Sequence, residues 1–243
     1  MKERIGFVLL VCAVAAAVAV GGANEPSRAN PQQGMTIVLF GDSTTAPRGD
    51  LAIFGTLLQE HLPGAAVVNA GVGGNSTADA RLRFEQDVLA REPDVVTVAF
   101  GINDAAIDVW KGDTEPRVPI EIYRVNLRHF VETLKERGSR PILMTPNPLA
   151  WTPKLIELYG KPPYDPDDSE GFNVLLADYA EVVRNVAVEE EVPLVDVWQL
   201  FKEHQGNYPD ESLLLDGMHP NARGHRLVAD ALLKVLPSVL AES

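Results

Sequence analysis

Thr36-Ile37-Val38-Leu39-Phe40-Gly41-Asp42-Ser43 is the stretch that decides the fold. The run from Thr36 to Phe40 reads as a strand, apolar without alternation, that ends at Gly41. A strand of that kind is buried on both faces, as in parallel sheets covered by helices on either side. Gly41 then permits a tight turn, and Asp42-Ser43 follows where that turn leaves the sheet.

The same reading repeats downstream. Strand-like runs occur at Ala65–Asn69, Asp94–Phe100, Pro141–Thr145 and Pro193–Val197. Between them lie helical patterns. Leu51, Phe54, Leu57, Leu58 and Leu62 precede Pro63-Gly64, and Ser76, with Asp79 three residues on, caps a helix to about Arg91. Further helices are expected over Pro119–Arg137, stopped by Gly138, over Phe172–Glu191 and over Asn221–Leu236. Alternating strands and helices predict an α/β fold with a five-stranded parallel sheet. Residues 35–243 contain no repeat and no linker, and read as one domain. In such a sheet ligands bind beyond the carboxyl ends of the strands, where strand order reverses. A flavodoxin-like order 2-1-3-4-5 puts that reversal between the first and third strands.

Groups fit for acyl transfer collect at that rim. Ser43 follows the first strand and is the candidate nucleophile. Gly73-Gly74-Asn75 follows the second strand and Gly101-Ile102-Asn103-Asp104 the third. The N–H groups of Ser43 and Gly74 and the Asn103 side-chain amide are candidate oxyanion donors. Asp216-Gly217-Met218-His219 sets a carboxylate three residues before an imidazole, so Asp216 can orient His219 as general base. A nucleophile, an oriented base and preorganised donors are what this chemistry requires at one point. Each stretch also has an ordinary reading as a helix cap or an Asx turn. The conjunction of four, in order, favours chemistry.

Together they resemble the four blocks of the SGNH hydrolase (GDSL esterase) family, along nearly all of residues 35–243. The resemblance implies a three-layer αβα sandwich and ester hydrolysis through an acyl-serine, without metal or cofactor. It assigns Ser43, Gly74, Asn103 and His219, with Asp216 at the D-x-x-H position. Gly74 is preferred to Gly73 because the family's glycine stands five residues after the block's Asn, here Asn69. Gly41-Asp42-Ser43-Thr44-Thr45 is also similar to the carbohydrate branch typified by rhamnogalacturonan acetylesterase, which implies O-acetyl esters on a sugar. A lipid esterase of the same family, to which Leu149, Leu155 and Leu158 would suit, and a glycan-binding module without turnover are the alternatives.

Two insertions, Ala105–Val118 and Pro146–Gly171, leave the same rim and carry Trp110, Trp151, Tyr159 and Tyr164. These rings either stack on sugar faces or pack the loops down. His61, His129, His204 and His225 have no ligand spacing. Asp165, Asp167 and Asp168 open like a calcium loop, but Glu170 stands where that loop requires glycine.

At the amino terminus, Lys2 and Arg4 precede an apolar run from Ile5 to Val20, then Gly21-Gly22-Ala23. This is the layout of a secretory signal over residues 1–23, followed by a leader over residues 24–34. The run is short of the roughly 20 residues of a spanning helix; a retained membrane anchor over residues 5–20 is the alternative. Cys12, the only cysteine, lies within it after Val11, a poor lipoprotein site, so the cleaved protein would have no disulfide. The net charge is −13, and cleavage, which removes Lys2, Glu3 and Arg4, makes it one unit more negative. Such a surface repels nucleic acid and anionic lipid. The expected partner is a small-molecule or glycan ester.

Overall fold

The computed structural model describes residues 34–241. The signal over residues 1–23, the leader but for Gly34, the anchor alternative and Cys12 lie outside them.

Five parallel strands form one sheet in the order β2-β1-β3-β4-β5. They are β1 Thr36–Gly41, β2 Ala66–Gly71, β3 Val95–Ala99, β4 Arg140–Met144 and β5 Leu194–Val195. Period two assigns their side chains to two cores. Val38, Phe40, Val96, Val98 and Leu143 enter one cluster, with Phe84, Phe130 and Val183. Ile37, Leu39, Val95, Ile142 and Met144 enter the other, with Leu58, Phe201 and Leu232. Both faces are covered, which is why these strands show no polar alternation.

The helices are α1 Phe54–His61, α2 Thr77–Asp87, α3 Ile102–Ala105, α4 Ile120–Glu136, α5 Pro153–Tyr159, α6 Leu176–Glu189, α7 Val197–Asn207 and α8 Ala222–Ala241. α2, α4 and α6 supply the first cluster, and α1, α7 and α8 the second. Ser76 caps α2, accepting the Asp79 N–H, while the Asp79 carboxylate accepts the Ser76 N–H, so the capping box closes.

Several boundaries differ from the sequence reading. The fifth strand stops at Val195 because Asp196 caps α7, accepting the Gln199 N–H at 3.0 Å. The loop over residues 146–171 contains α5, capped by Thr152 with Pro153 in its first turn. The helix after Ser76 ends at Asp87, and Leu89–Arg91 forms a separate 3₁₀ turn. α8 continues through Pro237 to Ala241, where Val239 is still buried in the second cluster.

Register positions the rim. Gly41 pairs with Gly71 on one side and with Ala99 on the other. The loops carrying Ser43, Gly74 and Asn103 therefore leave the sheet at one level, around the strand-order reversal.

Candidate active site

Where β1 ends, the chain turns so sharply that a Cβ on Gly41 would collide with the Thr45 side chain and the Ala99 carbonyl. Asp42, buried beneath the turn, accepts the Thr44 N–H and hydroxyl at 2.8 Å each through Oδ1. Burial raises its pKa, against the Thr44 hydrogen bonds and the nearby His219. Ser43 is left half-buried at the apex. Asn69 locks this turn to β2, its amide donating to the Thr45 carbonyl at 2.7 Å and its Oδ1 accepting the Gly71 N–H at 2.9 Å.

The Ser43 hydroxyl lies 2.9 Å from Nε2 of His219. Nδ1 of His219 lies 2.8 Å from Oδ2 and 3.0 Å from Oδ1 of Asp216. With Nδ1–H donating to the carboxylate, Nε2 is the acceptor that faces the hydroxyl. Asp216 also accepts the N–H groups of Met218 and His219, at 3.1 and 2.9 Å. Its partial burial raises the carboxyl, but the hydrogen bonds from His219 and Met218 outweigh it and hold the pKa below the ordinary value. Arg48 adds a cation at 3.9 Å. The turn is fixed from outside: Asn147 donates to the Met218 carbonyl at 3.0 Å and Ala150 N–H to the Gly217 carbonyl at 2.8 Å. Gly217, at φ +88°, has no room for a Cβ against the Ala150 carbonyl.

The second and third blocks meet beside Ser43. Asn103 Nδ2 donates to the Asn75 carbonyl at 3.0 Å. Gly74, at φ +79°, is exposed on the bend before Asn75, and a Cβ on Gly73 would touch the Ser43 side chain. Beneath them, buried Asp104 accepts the Thr77 N–H at 2.8 Å and the Thr77 hydroxyl, and Asn126 donates to that hydroxyl at 3.0 Å. Burial pushes Asp104 up to about 7.

Two arginines that the sequence reading passed over hold these blocks. Arg83 of α2 donates to Asn75 Oδ1 at 2.7 Å, to the Ala70 carbonyl at 2.8 Å and to the Gly41 carbonyl at 3.0 Å. Its guanidinium lies 4.7 Å from the Phe40 ring centroid. It stands seven residues after the Ser76 cap, two helical turns on, and that spacing was a usable signal for a side chain on the same face. Arg117 donates to Asn103 Oδ1 at 3.0 Å.

The four aromatic candidates divide. Tyr164 is buried and its hydroxyl accepts the Ile107 N–H at 2.8 Å, tying the first insertion to the second. Trp151 stacks on Phe172 at 4.4 Å and donates to the Asp165 and Asp168 carbonyls. Tyr159 meets Tyr164 edge-on, and both line an apolar recess with Ile102, Leu149 and Met218. Trp110 is half exposed, with the Lys111 ammonium 4.7 Å from its ring centroid.

The model of the GDSL-like lipase/acylhydrolase family matches residues 39–227. The chain belongs to that family. As a GDSL-like hydrolase it is a carboxylic ester hydrolase. It is 36% identical over 176 residues to the uncharacterized lipoprotein YqeF of Bacillus subtilis, covering 68% of this chain and 71% of that protein. It is 31% identical over 185 residues to an acetylxylan esterase of Geobacillus stearothermophilus, covering 73% and 76%. A solved structure of Axe2, an acetyl-xylooligosaccharide esterase from the same organism, superposes with a TM-score of 0.66 at 28% identity, covering 84% of this chain and 94% of that one. No helix among the described residues of this GDSL-like hydrolase is long and apolar enough to cross a membrane.

Proposed function

We propose that the protein is an exported carbohydrate O-acetylesterase working through an acyl-serine at Ser43. The observation that carries this reading is the unbroken Ser43–His219–Asp216 chain of hydrogen bonds. Ser43 Oγ attacks the ester carbonyl carbon and its proton passes to Nε2 of His219. Asp216 holds the ring and offsets the charge on the imidazolium. The oxyanion is met by the Ser43 and Gly74 N–H groups and by Asn103 Nδ2. On collapse the C–O bond to the sugar breaks and His219 returns the proton to the departing alcohol. Water then attacks the acyl-enzyme by the same route, releasing acetate and restoring the hydroxyl.

Similarity to an acetylxylan esterase and to an acetyl-xylooligosaccharide esterase supports a sugar acetate as substrate. Export rests on the layout of residues 1–23 and on the lipoprotein relative. A lipid ester is the second reading, favoured by the apolar recess that contains Met218, next to His219.

Two measurements test the assignment. Ser43→Ala is expected to fold as the parent does and to lose turnover of p-nitrophenyl acetate; activity retained by a pure sample defeats it. Over a series of p-nitrophenyl esters, kcat/KM is expected to be highest for acetate, whereas a rise toward long acyl chains selects the lipid reading.

A further inference from the structure

The Asn103 side chain has two nearly isosteric ends, and only the NH₂ end can stabilise an oxyanion. Its orientation is fixed from both sides. The Asn75 carbonyl cannot donate, so it faces Nδ2, at 3.0 Å. The Arg117 guanidinium cannot accept, so it faces Oδ1, at 3.0 Å. Of the two hydrogens on Nδ2, one is directed at Asn75 and the other is left for the substrate.

Arg117 is itself held by side-chain and backbone hydrogen bonds. Asp108, buried among the residues of the first insertion, takes its Nη2 at 2.7 Å and its Nε at 3.1 Å, a bidentate clamp that no lysine could reproduce. Lys111 braces the same carboxylate at 2.8 Å. The loop is pinned to α3 by the Arg117 N–H on the Ala106 carbonyl and the Val118 N–H on the Asp104 carbonyl, at 3.0 and 3.1 Å. With Nη1 on the amide oxygen, the cation also draws electron density from the carbonyl and sharpens the N–H that remains.

We propose that Arg117, clamped by Asp108, is a positioning residue that locks the Asn103 amide with its NH₂ toward the oxyanion, which makes the first insertion part of the catalytic machinery. The inference rests on the proposed role of Asn103 and sharpens it.

The test is a double-mutant cycle on p-nitrophenyl acetate. Asn103→Ala is expected to lower kcat by about 10²–10³; undiminished activity there overturns the donor role of Asn103 itself. Arg117→Met is expected to lower kcat about ten-fold or more while KM stays within about two-fold. In the Asn103→Ala background it is expected to cost nothing further, because there is no amide left to orient. Arg117→Lys is expected to recover part of the loss. Because Arg117→Met leaves a buried carboxylate with Lys111 as its remaining cation, the same cycle is run with Arg117→Met combined with Asp108→Asn. With Asn103→Ala impaired as expected, three results overturn the proposal: no loss in Arg117→Met, a loss carried by KM, or an undiminished further loss in the Asn103→Ala background. The last is what a general distortion of the loop produces.

Discussion

Ser43 and His219 stand 176 positions apart and come within 2.9 Å, yet both were legible as single residues. A serine after a glycine at a strand end and a histidine three residues after an aspartate are signals of type and spacing. Arg117 and Arg83 were not legible in that way. Their work lies in what they meet in space, and only the spacing of Arg83 from Ser76 hinted at it. His225, which has no ligand spacing in the sequence, is buried in α8, stacked on Phe54, with Nδ1 unpartnered. Burial, reinforced by Arg48 and His219, lowers its pKa to about 4. The unfolded chain binds a proton near 6.5 while the fold resists until about 4. Stability present above the first value is therefore lost as pH falls toward the second, by on the order of 3 kcal/mol. Denaturant titrations at pH 7.5 and pH 5 are expected to show a smaller acid loss for His225→Leu than for the parent. Equal losses would assign the acid sensitivity elsewhere.

Among elements, those with a long apolar run or a clear stop were read to within a residue or two. β1, β3, β4 and α4 are of this kind. Two that differed were governed by caps, whereas α6, expected from Phe172, starts at Leu176 with no side-chain cap. Asp196 redirects Val197-Trp198 from a strand into α7, and Thr152-Pro153 starts a helix inside what composition alone presents as loop. Pro237 marks the opposite failure: one lost hydrogen bond does not end a helix whose next turn is still packed. The capping box of α2 was readable, and it does more than end a helix, since it also fixes the segment that follows Gly74. Ser76→Ala is expected to cost about 1 kcal/mol, lowering the unfolding midpoint by about 2–4 °C, with a parallel loss of esterase activity. Calorimetry with a parallel assay checks it; an unchanged kcat would show that the bend holds without its cap.

At the scale of the molecule, the chain carries a formal net charge of −13, and on the proposed function it must approach a sugar ester. At low ionic strength the field reaches about 30 Å, and at physiological salt about 8 Å. Hydrolysis of acetylated xylo-oligosaccharides without uronic acid is expected to be insensitive to salt. On acetylated pectin fragments kcat/KM is expected to rise with salt as repulsion is screened. A fall on the anionic substrate would reveal a local basic track that the net charge conceals. The parallel, doubly covered sheet was legible because apolar strands alternating with helices leave few ways to cover both faces; its order 2-1-3-4-5 was supposed by likeness to flavodoxin-like sheets, and the structure has that order. The length of β5 was not, because it depends on one cap.

The contact between residues 43 and 219 joins the first strand to the turn that leads into the last helix. On the proposed assignment, a chain still being synthesised holds its serine long before it holds the base. Release of acetate then reports the docking of α8 against α1, and a half-made molecule stays chemically silent in the cell that produces it.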